Sequence, residues 1–228
     1  MLSKFINLAI VDDHALFRKT LKNYLAEQKE INVIIQASDI HELAGKLKHF
    51  SIDVLVMDLC MPGTCGSEAV KIIRDAYPTI KVLILSMNSD VEVLCDLLDS
   101  GIHGYLSKSD GPDELLQAIQ AVAEGRIYRN RIFTDALYRC KQHKQHRIST
   151  PGQAAVVALN EREIKVIQLI WEEKSNREMA NELFLSVKSV EKIRQELKEK
   201  IGVRSTVGLL KYAISNKIIG AFPKIPAI

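Results

Sequence analysis

The feature of this sequence that most limits its fold is an alternation, through the first 125 residues, of short apolar runs and amphipathic segments. The runs are almost continuously apolar, which is typical of parallel strands that are buried on both faces. They predict five strands, at residues 8–11, 33–35, 54–57, 82–85 and 104–106. Helical spacing between and after them predicts five helices, at residues 16–27, 40–50, 68–76, 91–100 and 112–124. Five such units predict an α/β domain with a doubly wound parallel five-stranded sheet, whose ligand site lies at the carboxyl ends of the strands.

A purely helical pattern follows residue 159. Asn160 and Ser175 each stand three residues before a glutamate, which is the spacing of a capping box at a helix start. Ser186 and Ser205 are candidate N-caps of two further helices, and Gly202 is a candidate stop. These signals predict a small all-α domain of four helices joined by short turns, at about residues 161–173, 176–184, 187–201 and 205–216.

The segment between these two patterns, residues 126–158, is rich in arginine and lysine and has no clear period. We interpret it as a linker with a short helix at about residues 134–140. His143 and His146 are three residues apart, but the absence of a nearby carboxylate favours a solvated linker over a metal site. The expected division is therefore an α/β domain at 1–125, a basic linker at 126–158 and a helical domain at 159–228.

The net charge of +3 is an average over opposite halves. Residues 1–125 carry 11 Lys and Arg against 18 Asp and Glu, whereas residues 126–159 carry 7 against 1 and residues 160–228 carry 13 against 9. A basic second half suggests a polyanionic partner. No apolar run approaches the roughly 18 residues of a membrane span, and no signal-peptide pattern opens the sequence. Four cysteines without paired spacing suggest reduced thiols, so the expected location is cytoplasmic, without a membrane partner.

Several polar residues fall at the ends of different predicted strands. Asp12 and Asp13 follow the first strand, Asp58 the third, Ser86 the fourth and Lys108 the fifth. Because the carboxyl ends of parallel strands meet at one edge, these side chains should converge. Clustered carboxylates require a cation, and oxygen ligands suit Mg²⁺. An aspartate there could accept a phosphoryl group, with the lysine and hydroxyl sharing its charge.

Other interpretations of this set are weaker. A single acidic residue after a strand is usually a helix cap, but five compatible groups at four strand ends favour a functional site. A haloacid-dehalogenase-type phosphatase needs a second aspartate two residues after the nucleophile, where this sequence has Cys60. Cys60 is interpreted as a packing residue whose main chain matters, because no histidine is expected beside it. Nucleotide-binding glycine motifs are absent from the sequence.

Residues 6–125 closely resemble the receiver domains of two-component response regulators, which implies a flavodoxin-like sheet. The matching motifs are Val11-Asp12-Asp13-His14-Ala15-Leu16-Phe17-Arg18, Met57-Asp58-Leu59-Cys60-Met61-Pro62-Gly63 with Gly66, Leu85-Ser86-Met87, and Gly104-Tyr105-Leu106-Ser107-Lys108. The resemblance implies that Asp58 accepts phosphate from a sensor histidine kinase. It further implies roles for six other residues: Asp12, Asp13 and the Cys60 carbonyl hold Mg²⁺ together with Asp58, Lys108 contacts the phosphoryl group, and Ser86 with Tyr105 relays its presence.

The third helix of the helical domain has an apolar stripe, at residues 190, 193, 197 and 201, and a charged opposite face. A charged face is normally just solvated, but the short turn before this helix is the geometry that presents a face to the DNA major groove. Residues 159–219 resemble the LuxR-type helix-turn-helix, which together with a receiver defines the NarL/FixJ subfamily. The matching motifs are Leu159-Asn160-Glu161-Arg162-Glu163, Ser175-Asn176-Arg177-Glu178-Met179-Ala180, Leu183-Phe184-Leu185-Ser186-Val187, Ser189-Val190-Glu191 and Lys200-Ile201-Gly202-Val203-Arg204-Ser205.

This second resemblance implies a set of DNA contacts: Lys188, Ser189, Lys192 and Gln195 near bases, and Arg194, Lys198 and Arg204 on phosphates. Ile193 departs from the family, which commonly has histidine there, so the target sequence does not carry over. The stripe of the fourth helix, residues 207, 210 and 214, is either a dimer contact or part of the domain core.

The expected function is a phosphorylation-dependent regulator of transcription that binds promoter DNA as a homodimer and is not an enzyme. The receiver either covers the helical domain before phosphorylation or fails to dimerise it. The alternative is a receiver whose helical domain contacts a protein partner instead of DNA.

Overall fold

The structure is a computed structural model that describes residues 5–61, 66–87, 90–147 and 157–219. Cys65 lies outside these ranges, and so do the side chains of His143 and His146. In the described part of the chain, no helix is both long and apolar enough to span a membrane.

The first domain is built on a five-stranded parallel sheet in the order β2-β1-β3-β4-β5. The strands are β1 (Ile6–Val11), β2 (Ile31–Ala37), β3 (Val54–Met57), β4 (Lys81–Ser86) and β5 (Gly104–Ser107). All four residues of β3 are buried, as expected of a central strand covered on both faces. The predicted doubly wound α/β fold is therefore confirmed.

Five helices cover the two faces of this sheet. They are α1 (Ala15–Ala26), α2 (Ile40–Leu47), α3 (Gly66–Ala76), α4 (Val91–Ser100) and α5 (Pro112–Ala123). Asp39 caps α2 by accepting a hydrogen bond from the Glu42 backbone N–H at 2.8 Å. Gly101 ends α4 with a φ of +86°, in the left-handed region that favours glycine.

Four short helices form the second domain, and the capping signals in the sequence account for where they start. They are α7 (Glu161–Trp171), α8 (Asn176–Glu182), α9 (Val187–Ile201) and α10 (Thr206–Ser215). Both predicted capping boxes are present: Asn160 pairs reciprocally with Glu163, and Ser175 with Glu178. A left-handed residue ends α9 at the predicted stop, Gly202.

The segment between the domains is more ordered than the sequence predicts. Instead of a short helix, it forms α6 (Arg131–Arg147). Phe133, Ala136, Leu137 and Cys140 are buried on one face of α6, which packs against α4 and α10. The many cations of the segment mask this short apolar stripe, because a stripe of four residues gives only a weak helical period.

Cys95 of α4 and Cys140 of α6 form a disulfide, with Cα atoms 5.6 Å apart. The expectation of reduced thiols is therefore wrong for this pair. The two residues are 45 positions apart in the sequence, so their spacing carries no disulfide signal. They meet only because α6 folds back onto α4. The bond fastens the connecting helix to the α/β domain.

The two domains contact each other directly. Helix α10 packs against both α4 and α6, and Lys211 of α10 forms an ion pair with Asp99 of α4. The contact at Gly101 is close: a Cβ atom there would lie 2.9 Å from the Cβ of Ser205, at the start of α10. The helical domain is thus covered by the α/β domain, which is one of the two arrangements left open by the sequence. The stripe of α10 is buried, which favours core over dimer contact in this arrangement: Val207, Leu210 and Ile214.

Candidate functional site

Three aspartates predicted to converge do so at the carboxyl edge of the sheet. Possible ligand atoms of Asp12, Asp13, His14 and Asp58 all lie within 4.8 Å of one another. Asp12 and Asp58 are only 2 % and 3 % exposed. Carboxylates buried this deeply require a positive partner, because burial removes the water that would otherwise stabilise their charge.

Lys108, just after β5, supplies part of that positive charge. Its Nζ lies 2.7 Å from Asp12 Oδ2 and 2.7 Å from Asp58 Oδ2, so one ammonium group bridges two carboxylates. Burial lowers the pKa of Lys108, but the hydrogen bonds to Asp12 and Asp58 outweigh it and the pKa is raised overall. The Phe17 ring, centred 4.7 Å from Nζ, covers the ammonium group. This lysine is therefore held charged beside Asp58.

The main chain around Asp58 fixes its carboxylate. The Cys60 backbone N–H donates to Asp58 Oδ1 at 3.2 Å, and the Asp58 N–H donates to the Val11 carbonyl at 2.8 Å. The Cys60 side chain is exposed, so its interpretation as a packing residue is wrong, whereas its main chain does touch the site. The exposure follows from the tight loop after β3, which turns this side chain away from the core.

His14 belongs to the cluster, although the sequence analysis assigned it no role. Its Nδ1 lies 2.8 Å from Asp13 Oδ1 and 3.4 Å from Asp12 Oδ1, and its backbone N–H donates to Asp12 Oδ1 at 2.8 Å. The signal was its position directly after the aspartate pair. The imidazole is largely exposed, which places it at the rim of the acidic cluster.

Ser86 and Tyr105 are both buried, at the end of β4 and within β5. The Cys60 Sγ lies 4.0 Å from Ser86 Oγ, which brings Ser86 close to the loop that carries Asp58. Burial raises the pKa of the Tyr105 hydroxyl, and a hydrogen bond with Ser86 opposes that rise. The two hydroxyl groups are thus neighbours, as the predicted relay requires.

Asn130 connects β5 with α6, a link that the sequence does not indicate. Its side-chain amide donates to the Tyr105 carbonyl at 3.0 Å and accepts from the Phe133 backbone N–H at 3.0 Å. The second bond caps the first turn of α6. A displacement of β5 at Tyr105 would therefore reach the helix that contacts the second domain.

The acidic cluster fits a hard divalent cation. Its carboxylate oxygens lie close enough together to share one ion, and oxygen is the ligand that Mg²⁺ prefers. The bridging lysine neutralises only part of the charge of three carboxylates. The donor set therefore matches the Mg²⁺ site expected from the sequence.

The residues expected to contact DNA do not all face the same way. Four of the seven are exposed and two are half-buried: Lys188, Lys192, Gln195 and Arg204, then Ser189 and Lys198. Arg194 turns inward, and its guanidinium group donates to the Gly125 carbonyl at 3.4 Å and to Thr206 Oγ1 at 3.1 Å. Part of the polar face of α9 is thus directed at the α/β domain.

Two known families match this chain. Residues 8–120 match the response regulator receiver domain, and residues 157–213 match the bacterial regulatory proteins of the luxR family. A receiver joined to a LuxR-type helix-turn-helix defines a response regulator that is phosphorylated on its receiver and binds DNA. The chain belongs to this class, as a member of the NarL/FixJ subfamily.

Individual relatives agree with this assignment. Oxygen regulatory protein NreC of Staphylococcus aureus (strain MRSA252) is 33 % identical over 215 residues, which span 94 % of this chain and 99 % of NreC. A structure of two RcsB dimers bound to two parallel DNAs matches with 25 % identity and a TM-score of 0.55, over 93 % of this chain and 99 % of that one. The receiver domain of RcsB from Salmonella enterica serovar Typhimurium, with the phosphomimetic BeF3-, matches 58 % of this chain and 99 % of its own at 26 % identity and a TM-score of 0.54.

Proposed function

We propose that Asp58 accepts a phosphoryl group from a sensor histidine kinase and that this modification frees the helical domain to bind promoter DNA as a homodimer. The observation that carries the proposal is the position of the Lys108 ammonium group, 2.7 Å from Asp58 Oδ2 and 2.7 Å from Asp12 Oδ2. A cation held beside a nucleophilic carboxylate can neutralise the oxygens of an incoming phosphoryl group.

In the proposed reaction, an Asp58 oxygen forms a bond to phosphorus while the bond between phosphorus and the kinase histidine breaks. Asp12, Asp13, Asp58 and the Cys60 carbonyl would hold Mg²⁺, which supplies further charge neutralisation for the phosphoryl oxygens. The Cys60 N–H, 3.2 Å from Asp58 Oδ1, helps to keep the carboxylate in one orientation. Ser86 would then donate to a phosphoryl oxygen.

The proposed signal leaves the site through Tyr105. Ser86 and Tyr105 are neighbours, and Asn130 joins the Tyr105 carbonyl to the start of α6. Because α6 packs against both α4 and α10, a shift in β5 biases the contact between the two domains. Phosphorylation would shift the population toward the open form, in which α9 is accessible.

The DNA-contact set belongs to the proposal, with Lys188, Ser189, Lys192 and Gln195 near bases and Arg194, Lys198 and Arg204 on phosphates. Arg194 can take this role only after leaving the Gly125 carbonyl, so its contact is reserved for the open form. The domain limits at residues 125 and 159 and a cytoplasmic location are part of the same proposal.

Phosphorylation is tested by incubating the full chain with a radiolabelled small phosphodonor and Mg²⁺. The expected product is an acid-labile adduct that is absent from Asp58→Asn and reduced by a chelator. Asp75→Asn removes an exposed carboxylate on α3 and serves as the matched control. Equal labelling of Asp58→Asn and the control would refute the assignment of Asp58.

DNA binding is tested by selecting genomic fragments with the phosphorylated chain and measuring affinity for the recovered site against salt. Lys188→Gln with Lys192→Gln should reduce the slope of log affinity against log salt by about 2, since each lysine contributes roughly one phosphate contact. Lys217→Gln, on an exposed lysine beyond α10, is the control. Recovery of no recurring DNA motif would favour the alternative in which the helical domain contacts a protein.

A further inference from the structure

A cleft of about 710 Å³ lies between the two domains, at the opposite edge of the sheet from Asp58. On the receiver side it is lined by Arg74 of α3, by Lys81 at the start of β4 and by the end of α5. On the other side it is lined by α9, including Arg194 and Lys198. A volume of this size lies within the range of small-molecule sites.

The cleft contains four cations that have no carboxylate partner. In the ranges that the structure describes, neither Arg74 and Lys81 nor Arg194 and Lys198 form an ion pair within 4.0 Å. Two of them bond to neutral oxygens: Arg74 to the Pro78 carbonyl at 3.3 Å and Arg194 to the Gly125 carbonyl. Positive charge from both domains is therefore concentrated in one cleft.

The carboxylates nearby do not compensate for this charge. Glu124 forms an ion pair with Arg126 at 2.7 Å, and Glu191 accepts a hydrogen bond from the Asn176 amide at 3.4 Å. His103, which also lines the cleft, is buried and uses its Nδ1 to accept from the Val82 backbone N–H at 3.1 Å. Burial first, and then the surrounding cations, lower the pKa of His103 well below its usual range, so it adds no charge.

The mutual repulsion of the cations is visible in their titration. Burial lowers the pKa of Lys81 to about 8, with further lowering by Arg74, Arg194 and Lys198. Burial also lowers the pKa of Arg194 to about 10. The closed arrangement thus holds like charges together at a cost in free energy, which a bound anion would offset.

We propose that this cleft binds a small anion that carries more than one phosphate group. Two guanidinium groups suit phosphate oxygens because each can donate two hydrogen bonds, and two ammonium groups add charge that a single carboxylate could not balance. The Thr206 hydroxyl, also in the cleft, adds a neutral donor. DNA is not the occupant, because the closed domains surround the cleft and a duplex requires them to separate.

Such an anion would stabilise the closed form, because it contacts Arg74 and Lys81 of the receiver and Arg194 and Lys198 of α9 at the same time. A ligand that binds only one of two conformations shifts the population toward it. The binding site stands independently of the proposed function. Only the consequence, weaker DNA binding by the anion-bound chain, rests on it.

Binding is tested by calorimetric titration of the full Asp58→Asn chain with inorganic pyrophosphate in a chelator, which keeps the acidic site from contributing. We expect saturable one-to-one binding that weakens about tenfold in Lys81→Gln and in Lys198→Gln, the effect of losing one charge-assisted hydrogen bond. Lys71→Gln removes an exposed charge from α3 outside the cleft and should bind as tightly as the parent. Binding that is absent, or equal in all variants, would overturn the proposal.

A second arm uses adenosine triphosphate as the probe. Tighter binding than pyrophosphate would identify a nucleotide, and equal binding would identify the phosphate chain alone as the ligand; either result supports the site. The variants are expected to fold, since neutralising Lys81 or Lys198 relieves repulsion, and their melting temperatures should equal or exceed the parent's. Substantially lower melting temperatures would contradict the electrostatic argument.

The conformational consequence is tested by amide hydrogen exchange in α9. Pyrophosphate should slow exchange in the parent chain and leave Lys81→Gln unchanged. Lys81 belongs to the receiver and cannot act through the DNA-facing surface, so this contrast separates closure from simple competition for α9. Slowing of equal size in both chains would overturn the closure step. Phosphorylation of Asp58 is measured separately, so the failure of either proposal leaves the other intact.

Discussion

Arg194 of α9 donates to the carbonyl oxygen of Gly125 at 3.4 Å, so a residue of the DNA-facing helix is bound to the end of the receiver. The two residues are 69 positions apart. The same guanidinium group bonds to Asn176 and Thr206 within its own domain. The residue thus belongs both to the helix-turn-helix and to the contact that closes the molecule, which makes DNA binding and closure mutually exclusive at this side chain.

Lys108→Met should destabilise the chain in the absence of divalent cations. The substitution leaves the buried carboxylates of Asp12 and Asp58 without their shared ammonium group, which should lower the free energy of unfolding by about 2 kcal/mol. Added Mg²⁺ should restore most of this loss, because it neutralises the same oxygens. Denaturant unfolding with and without Mg²⁺ measures both effects. Lys71→Met is the control, and a loss that Mg²⁺ fails to reverse would contradict the prediction.

Reduction of the disulfide between Cys95 and Cys140 should lower stability by up to about 4 kcal/mol, the loop-entropy value for residues 45 positions apart. Cys95→Ser should reproduce the loss without a reductant, whereas Cys60→Ser, at an exposed free cysteine, should not. The chain denatured without reductant should also react with two thiol equivalents fewer than the reduced chain. Equal thiol counts under the two conditions would show that the bond does not form in solution.

Trp171, the single tryptophan of the chain, reports on closure. The Arg129 guanidinium lies 4.1 Å from the centre of its ring and forms an ion pair with Glu173 at 3.0 Å. Phosphorylation should shift the Trp171 emission to longer wavelength, because opening removes this cover.

Arg129→Met should produce the same emission shift without phosphorylation and raise the DNA affinity of the unphosphorylated chain by up to about tenfold. The reason is that this substitution weakens the closed form and leaves the open form unchanged. Arg126→Met, which removes a cation paired only with Glu124, is the matched control. Unchanged emission and affinity in Arg129→Met would mean that Arg129 does not hold the domains together. Emission spectra and a DNA titration make the comparison.

Raising the pH should favour the closed form between about pH 8 and pH 10.5. Lys81 has a pKa of about 8 when closed and an ordinary value of 10.5 when free, so the open form binds more protons in this window. Arg74, Arg194 and Lys198 lower this pKa and Glu191 raises it. Below pH 8 both forms are protonated and the cost of closure is fully present.

The Trp171 emission measured from pH 7 to pH 9 tests this direction. It should move toward that of the closed form as the pH rises in the parent chain, and Lys81→Gln should remove most of the change. An opposite shift, or an equal one in Lys81→Gln, would show that another group controls the transition.

The sequence alone determined the elements and the composition of the acidic site. Continuous apolar runs fix buried parallel strands, and any parallel sheet brings strand ends together, so Asp12, Asp58 and Lys108 could be placed at one edge without coordinates. The capping box at Ser175 is equally local, because it depends on residues three positions apart. These signals are readable because each interaction lies within one element or follows from the sheet topology.

Only the tertiary structure decided how the two domains meet. The disulfide joins residues 45 positions apart, the contact of Arg194 with Gly125 spans 69, and the ion pair of Lys211 with Asp99 spans 112. Such pairs leave no periodic signal, since either partner would look like an ordinary surface residue on its own helix. A cation on α9 therefore predicts a DNA contact from sequence, whereas its burial against the receiver depends on which surfaces pack together across the whole chain.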